Sequence, residues 1–211
     1  MQNDFADPAG SLYVRGGESV VPFVNAEIES ARAAGTPVLY TQDWHPPNTP
    51  HFAKDGGVWP VHCVADTWGA RFHPDLIVSG PVVRKGVGGE DGYSGFSMRH
   101  PETEETTDTE LDGRLRGAGV DRVVVVGLAT DYCVQATALD ARERGYPATV
   151  LAAGVRAVDL EAGDGARAIE RMREAGVEVV EEVAEDHAWV ANADEGLTSG
   201  HAGATSADAA H

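Results

Sequence analysis

The sequence predicts an α/β fold: a doubly wound, mostly parallel sheet with helices on both faces. Three observations carry this. Short apolar runs alternate with stretches of helical period along most of the chain. Arg122 opens an unbroken run of four valines, the pattern of a strand covered on both faces of a parallel sheet. Gly35, Gly145 and Gly176 stand where helical patterns stop. At 211 residues the chain fits one domain, over residues 1–183. Residues 184–211 are rich in Ala, Gly, Ser, Asp and Thr, and read as a disordered acidic tail.

The elements follow in order. Residues 1–5 are loop-like, with no apolar strand ahead of them, and residues 6–17 are a Gly/Pro/Asp loop. Residues 18–34 predict a helix, since Val21, Val24, Ile28 and Ala31 recur at three- and four-residue spacing. Pro22 falls in its first turn, where a missing N–H costs little. Residues 37–41 form a strand, and a long Pro/Gly/His-rich segment runs from residue 42 to about residue 75. Structureless loops of that length are usually functional. A second strand at 81–85 leads into a Gly-rich loop at 86–95. A helix at 109–116, a strand at 122–126 and a helix at 131–144 come next. A strand at 148–152, a helix at 161–175 and a strand at 177–180 complete the pattern. In such sheets ligands bind at the carboxyl ends of the strands.

Composition excludes several classes. Sixteen basic against 34 acidic side chains give a net charge of −18, which repels nucleic acid and anionic membrane. No apolar stretch is long enough to span a bilayer and no signal segment opens the chain. Cys63 and Cys133 are the two cysteines, too few for a disulfide scaffold. A reducing, cytoplasmic setting is the expectation.

Four groups of residues carry chemistry. Asp43 and His45 follow a strand end, and His51 and His62 lie further along the same loop. Three nitrogens and one oxygen suit Zn²⁺, Fe²⁺ or Mn²⁺. The other reading is three histidines that merely share a polar loop. His73 reads as structural or surface. Cys133 stands past a strand at the start of a helix, where free amide N–H groups lower a thiol pKa and can form an oxyanion hole. The other reading is a packed core cysteine, and Cys63 reads as packed and unreactive. Lys85 ends a strand at the same sheet edge and either stabilises a neighbouring thiolate or is simply solvated. Phe5, Trp59 and Tyr93, with Phe96 nearby, lie in loops and either line a pocket for a flat ring or plug those loops.

Six motifs stand in one order: Gln2-Asn3-Asp4-Phe5, Thr41-Gln42-Asp43-Trp44-His45, Trp59-Pro60-Val61-His62-Cys63, Lys85-Gly86, Tyr93-Ser94-Gly95-Phe96, and Gly127 through Val134. Together they resemble the nicotinamidases of the isochorismatase-like cysteine hydrolases, over residue 1 to about residue 182. The resemblance implies Cys133 as nucleophile toward the carboxamide of nicotinamide, with Lys85 holding the charged forms around it. It implies an oxyanion hole from the N–H groups of Ala129 and Cys133, with a cis peptide between Leu128 and Ala129. Asp43, His45, His51 and His62 would bind a divalent metal, zinc first, that orients the pyridine nitrogen. Phe5 and Trp59 would sandwich the ring, with Tyr93 and Leu128 beside it. It makes nicotinamide the small-molecule partner, in NAD salvage, and a homo-oligomer plausible.

The chain departs from this family at one point. Its catalytic aspartate belongs to the pattern Asp-x-Gln-Asn-Asp-Phe, and Met1 occupies the x position. The aspartate and the first strand are therefore expected just ahead of Met1. Asp4 is the second aspartate of the pattern, four positions later, and does not replace it. A start taken at an internal methionine accounts for this better than a decayed gene, because the other motifs are intact. The alternatives are another small-amide hydrolase of the superfamily, a metal- or ligand-binding protein without turnover, and a hydrolase using zinc-bound hydroxide with Cys133 merely structural.

Overall fold

A computed structural model describes residues 1–181. The expected tail at 184–211 lies outside them. Among the described residues the chain forms an α/β fold in which parallel strands are flanked by helices, with one added antiparallel hairpin.

The first residues differ from expectation. Asn3–Ala6 is a short helix, α1, rather than loop. The expected first long helix is α2, Val21–Ala33. Strand β1, Tyr40–Asp43, begins three residues later than the apolar pattern does and ends two residues later, on polar Gln42 and Asp43. Asp43 is sheltered by Gln2. Its amide Nε2 donates to Asp43 O at 2.7 Å, and its Oε1 accepts from Asp43 N at 2.7 Å, as a neighbouring strand would. Strand β2, Val82–Lys85, pairs with β1 in parallel, setting Asp43 opposite Lys85.

The glycine-rich loop then turns into a hairpin absent from the sequence reading. Its strands are β3, Ser97–Arg99, and β4, Thr106–Asp108, antiparallel to each other. Helix α3, Leu111–Gly117, precedes the valine strand β5, Val123–Leu128. A π-helical turn at Thr130–Val134 leads into α4, Gln135–Glu143, replacing the expected single helix. Strand β6, Ala148–Arg156, runs four residues past its expected end. Helix α5, Asp164–Glu174, and strand β7, Glu178–Val180, close the described chain. Strands β5, β6 and β7 are parallel neighbours in that order.

Alternation along the strands explains the layers. Val83 and Val125 pack with Leu111, Leu115, Ala138 and Met172, from α3, α4 and α5. Their chain neighbours Val82 and Val126 pack on the opposite side, with Val24 and Ile28 of α2. Successive strand side chains point to opposite faces, so helices cover both.

Among the described residues β1 pairs with β2 and β5 with β6, and the two groups of strands do not join. Between them lies a slot of about 450 Å³, walled by Tyr40 and Thr41 on one side and by the β5 valines on the other. Both faces of the valine strand are covered, as expected, but residues 123–126 are only half-buried, because one edge of β5 faces the slot.

Candidate active site

Parallel pairing of β1 and β2 brings Asp43 and Lys85 to the same carboxyl edge. The turn after β5 brings Cys133 to that edge. The Lys85 ammonium is almost wholly buried and has three partners: Asp43 Oδ1, Gly92 O and, at 3.5 Å, Cys133 Sγ. Burial works against its charge, but Asp43 and Cys133 together outweigh burial and raise its pKa. Burial also works against the Asp43 carboxylate, and Lys85, helped by His45, holds its pKa below the usual range. For Cys133 burial dominates and raises the thiol pKa; Lys85 opposes this, Asp43 adds to it, and the backbone amide of Ala129 opposes it weakly. The expected lowering by the helix start is therefore outweighed by desolvation.

Next to this group His45, His51 and His62 are buried, with one ligand atom from each lying within 4.8 Å of the others. The rings of His45 and His51 stack at 4.7 Å, and His62 stands edge-on to both. Both ring nitrogens of His45 are buried without a hydrogen-bond partner. Burial pushes the His45 pKa down to about 3 and lowers that of His62. Three buried imidazoles, one of them with both ring nitrogens orphaned, are a donor set that a divalent metal fits. Asp43 does not join the cluster of ligand atoms; its carboxylate is turned to Lys85.

An aromatic wall closes the space between histidines and thiol. Trp59 Nε1 donates to the Tyr93 hydroxyl at 2.7 Å. Tyr132 stands edge-on to Trp59 at 4.8 Å, and Phe5 lies 5.5 Å from His62. Phe5, His51, Trp59, His62, Tyr93 and Cys133 line one small pocket. A half-buried thiol, two of the three histidines and the aromatic wall thus share one pocket, and Lys85 adjoins it through its contact with Cys133.

Comparison with known proteins decides the family. The isochorismatase domain pattern matches residues 1–182. The chain belongs to the isochorismatase family. Within it, the chain is 37% identical over 194 residues to the nicotinamidase of Escherichia coli, covering 83% of this chain and 89% of that protein. It is 40% identical over 189 residues to the nicotinamidase/pyrazinamidase of Mycobacterium tuberculosis, covering 85% of this chain and 94% of that one. Among solved structures, the pyrazinamidase of Pyrococcus horikoshii in complex with zinc superposes with a TM-score of 0.76 at 39% identity. That match covers 86% of this chain and 95% of the other.

The remaining residues of this isochorismatase-family site fall as follows. The Leu128–Ala129 peptide is cis. Leu128 packs with Ala6, Val14 and Val20 and faces the slot, whereas Ala129 and Cys133 face the small pocket. Asp4 is tied into the loop: its carboxylate accepts Cys63 N at 2.6 Å and Ser11 N at 3.1 Å. Cys63 is fully buried, and burial raises its pKa well above the ordinary value. His73 lies outside the cluster, near Asp75. Sequence reasoning missed Tyr132, Gln2 and Asp91. Tyr132 could have been found as an aromatic beside the thiol. Asp91, whose Oδ1 lies 2.9 Å from His51 Nδ1, gave no signal within its glycine-rich loop.

Proposed function

We propose that this protein is an amidohydrolase that converts nicotinamide to nicotinate and ammonia. The observation that supports it best is the meeting of Cys133 Sγ and Lys85 Nζ, 3.5 Å apart, beside three buried histidines and an aromatic wall. The ring enters between Phe5 and Trp59, with Tyr93 and Tyr132 behind it. The Cys133 sulfur, as thiolate, attacks the carboxamide carbon, and Lys85 stabilises its negative charge. The carbonyl oxygen takes up the electron pair as an oxyanion and accepts from the Ala129 and Cys133 N–H groups. The C–N bond breaks, the nitrogen takes a proton and leaves as ammonia, and a thioester to Cys133 remains. Water attacks that thioester and releases nicotinate and the thiol. The protons pass through a carboxylate at Lys85, for which the resemblance supplies the aspartate expected ahead of Met1.

His45, His51 and His62 would hold a divalent metal, zinc first; the oxygen ligand that the resemblance implies, Asp43, is turned to Lys85 instead. Bound there, the metal would supply a Lewis acid for the ring nitrogen, and the histidines that hold it would help orient the carboxamide toward Cys133. Residues 1–183 serve this chemistry as one domain in this reading.

Ammonia release from nicotinamide tests it, on zinc-loaded protein both as the chain stands and with its natural upstream sequence attached. Cys133→Ala is expected to lose at least about a thousandfold in rate. Full activity of Cys133→Ala would move the chemistry to a metal-bound hydroxide. Folded, metal-loaded protein inactive in both forms would leave a binding role.

A further inference from the structure

The loop at residues 86–93 does more than connect β2 to the hairpin. Gly86, at φ +71°, lies against the His45 ring so closely that an added Cβ would meet its Nδ1 at 2.6 Å. Gly89 O accepts from Thr49 Oγ1 at 2.7 Å, and that hydroxyl accepts from His51 N at 3.1 Å. Asp91 Oδ1 lies 2.9 Å from His51 Nδ1, and the next residue, Gly92, accepts from Lys85 Nζ through its carbonyl. Tyr93 follows, edge-on to His51 at 5.9 Å. Three consecutive residues thus touch the histidine cluster, the lysine and the aromatic wall.

The imidazoles differ in what fixes them. His62 Nδ1 faces Pro60 O at 2.8 Å; a carbonyl only accepts, so this nitrogen carries the proton. His45 has no hydrogen bond to either nitrogen and is held by packing. His51 alone among the three meets a side-chain carboxylate, and that carboxylate is itself anchored. Asp91 N donates to Arg99 O at 2.8 Å, and the Arg99 guanidinium stands 3.9 Å from Asp91 Oδ2.

We infer that Asp91 is a positioning residue for the metal. Its carboxylate accepts the Nδ1 proton of His51, fixes that tautomer and ring orientation, and leaves Nε2 as the donor. A carboxylate behind a ligating imidazole also makes it more basic. The inference rests on the metal reading given under the proposed function.

The test is metal affinity, not turnover. Zinc is titrated in competition with a chromophoric chelator, and cobalt(II) is followed through its visible absorption, in the wild type, Asp91→Asn and Asp91→Ala. Asp91→Ala is expected to weaken both metals by about 10–100-fold and to shift the cobalt bands. Asp91→Asn keeps an acceptor oxygen without the charge and is expected to recover part of that loss. Wild-type affinity in Asp91→Ala overturns the inference. So does an equal loss in both variants matched by an equal fall in metal-free Tm, which would make Asp91 a loop support. If Asp91→Ala does not fold, unchanged affinity and bands in Asp91→Asn overturn it. A wild type that takes up neither metal defeats the metal reading itself, and the inference with it.

Discussion

Lys85 holds together groups that come from three separate stretches of chain. It binds Asp43 from β1, Gly92 from the following loop and Cys133 from the turn after β5. Removing its charge leaves the Cys133 thiol with burial and Asp43, both of which favour the protonated form. Lys85→Met is therefore expected to raise the Cys133 pKa further. Alkylation of Cys133 by iodoacetamide at pH 8, followed on its own peptide, should slow by at least about tenfold, one pKa unit. An unchanged rate would remove Lys85 from the stabilisation of the thiolate. At this scale the sequence was most informative: the motifs placed Cys133, Lys85 and the three histidines in one site. It could not show that burial outweighs the helix start at Cys133, since desolvation depends on residues distant in sequence. Nor could it show Asp91 reaching across forty positions to His51.

The elements were legible wherever period and burial agree. Helices α2 and α5 and strand β5 fall close to their expected spans, and β6 starts where expected. The hairpin of β3 and β4 was not legible because its strands lack apolar alternation, and Thr106, Thr107 and Asp108 are exposed. Strand β1 was misplaced for the opposite reason. Its last residues, Gln42 and Asp43, are polar but buried, because groups from outside the strand satisfy them: Ala70 O accepts from Gln42 Nε2, and Gln2 Oε1 accepts from Asp43 N. Gln2 is central to that arrangement. Gln2→Ala would leave the Asp43 N–H and C=O without these bonds at a buried site, at a cost of about 1–3 kcal/mol. A lower chemical denaturation midpoint with an unchanged m-value is the expected result, and an unchanged midpoint would show that the amide contributes nothing to stability.

For the whole molecule, the histidine cluster makes stability depend on acidity. His45 has its folded pKa pushed to about 3, and that of His62 is also lowered, both by burial. The unfolded chain takes up protons at these sites below about pH 6.5, whereas the folded chain does not. Their contribution to stability is thus complete above about pH 6.5 and is lost as pH falls toward 3. The Asp43 pKa is lowered too, so its contribution falls in the same direction at the acid end. Metal-free protein is expected to show a Tm that declines steadily from pH 7 to pH 4.5; a flat profile would mean that the cluster is hydrated rather than sealed.

The open slot bears on how copies of the molecule behave in a tube. An unpaired strand edge beside half-buried valines is a template for another chain. What opposes that encounter is mutual repulsion between bodies that each carry a net charge of −18. Added salt shortens the reach of this repulsion to about 8 Å at physiological ionic strength. Colloidal stability and shelf life therefore favour dilute buffer well above the isoelectric point, and concentrated salt or acidification brings the sticky edges within range of each other.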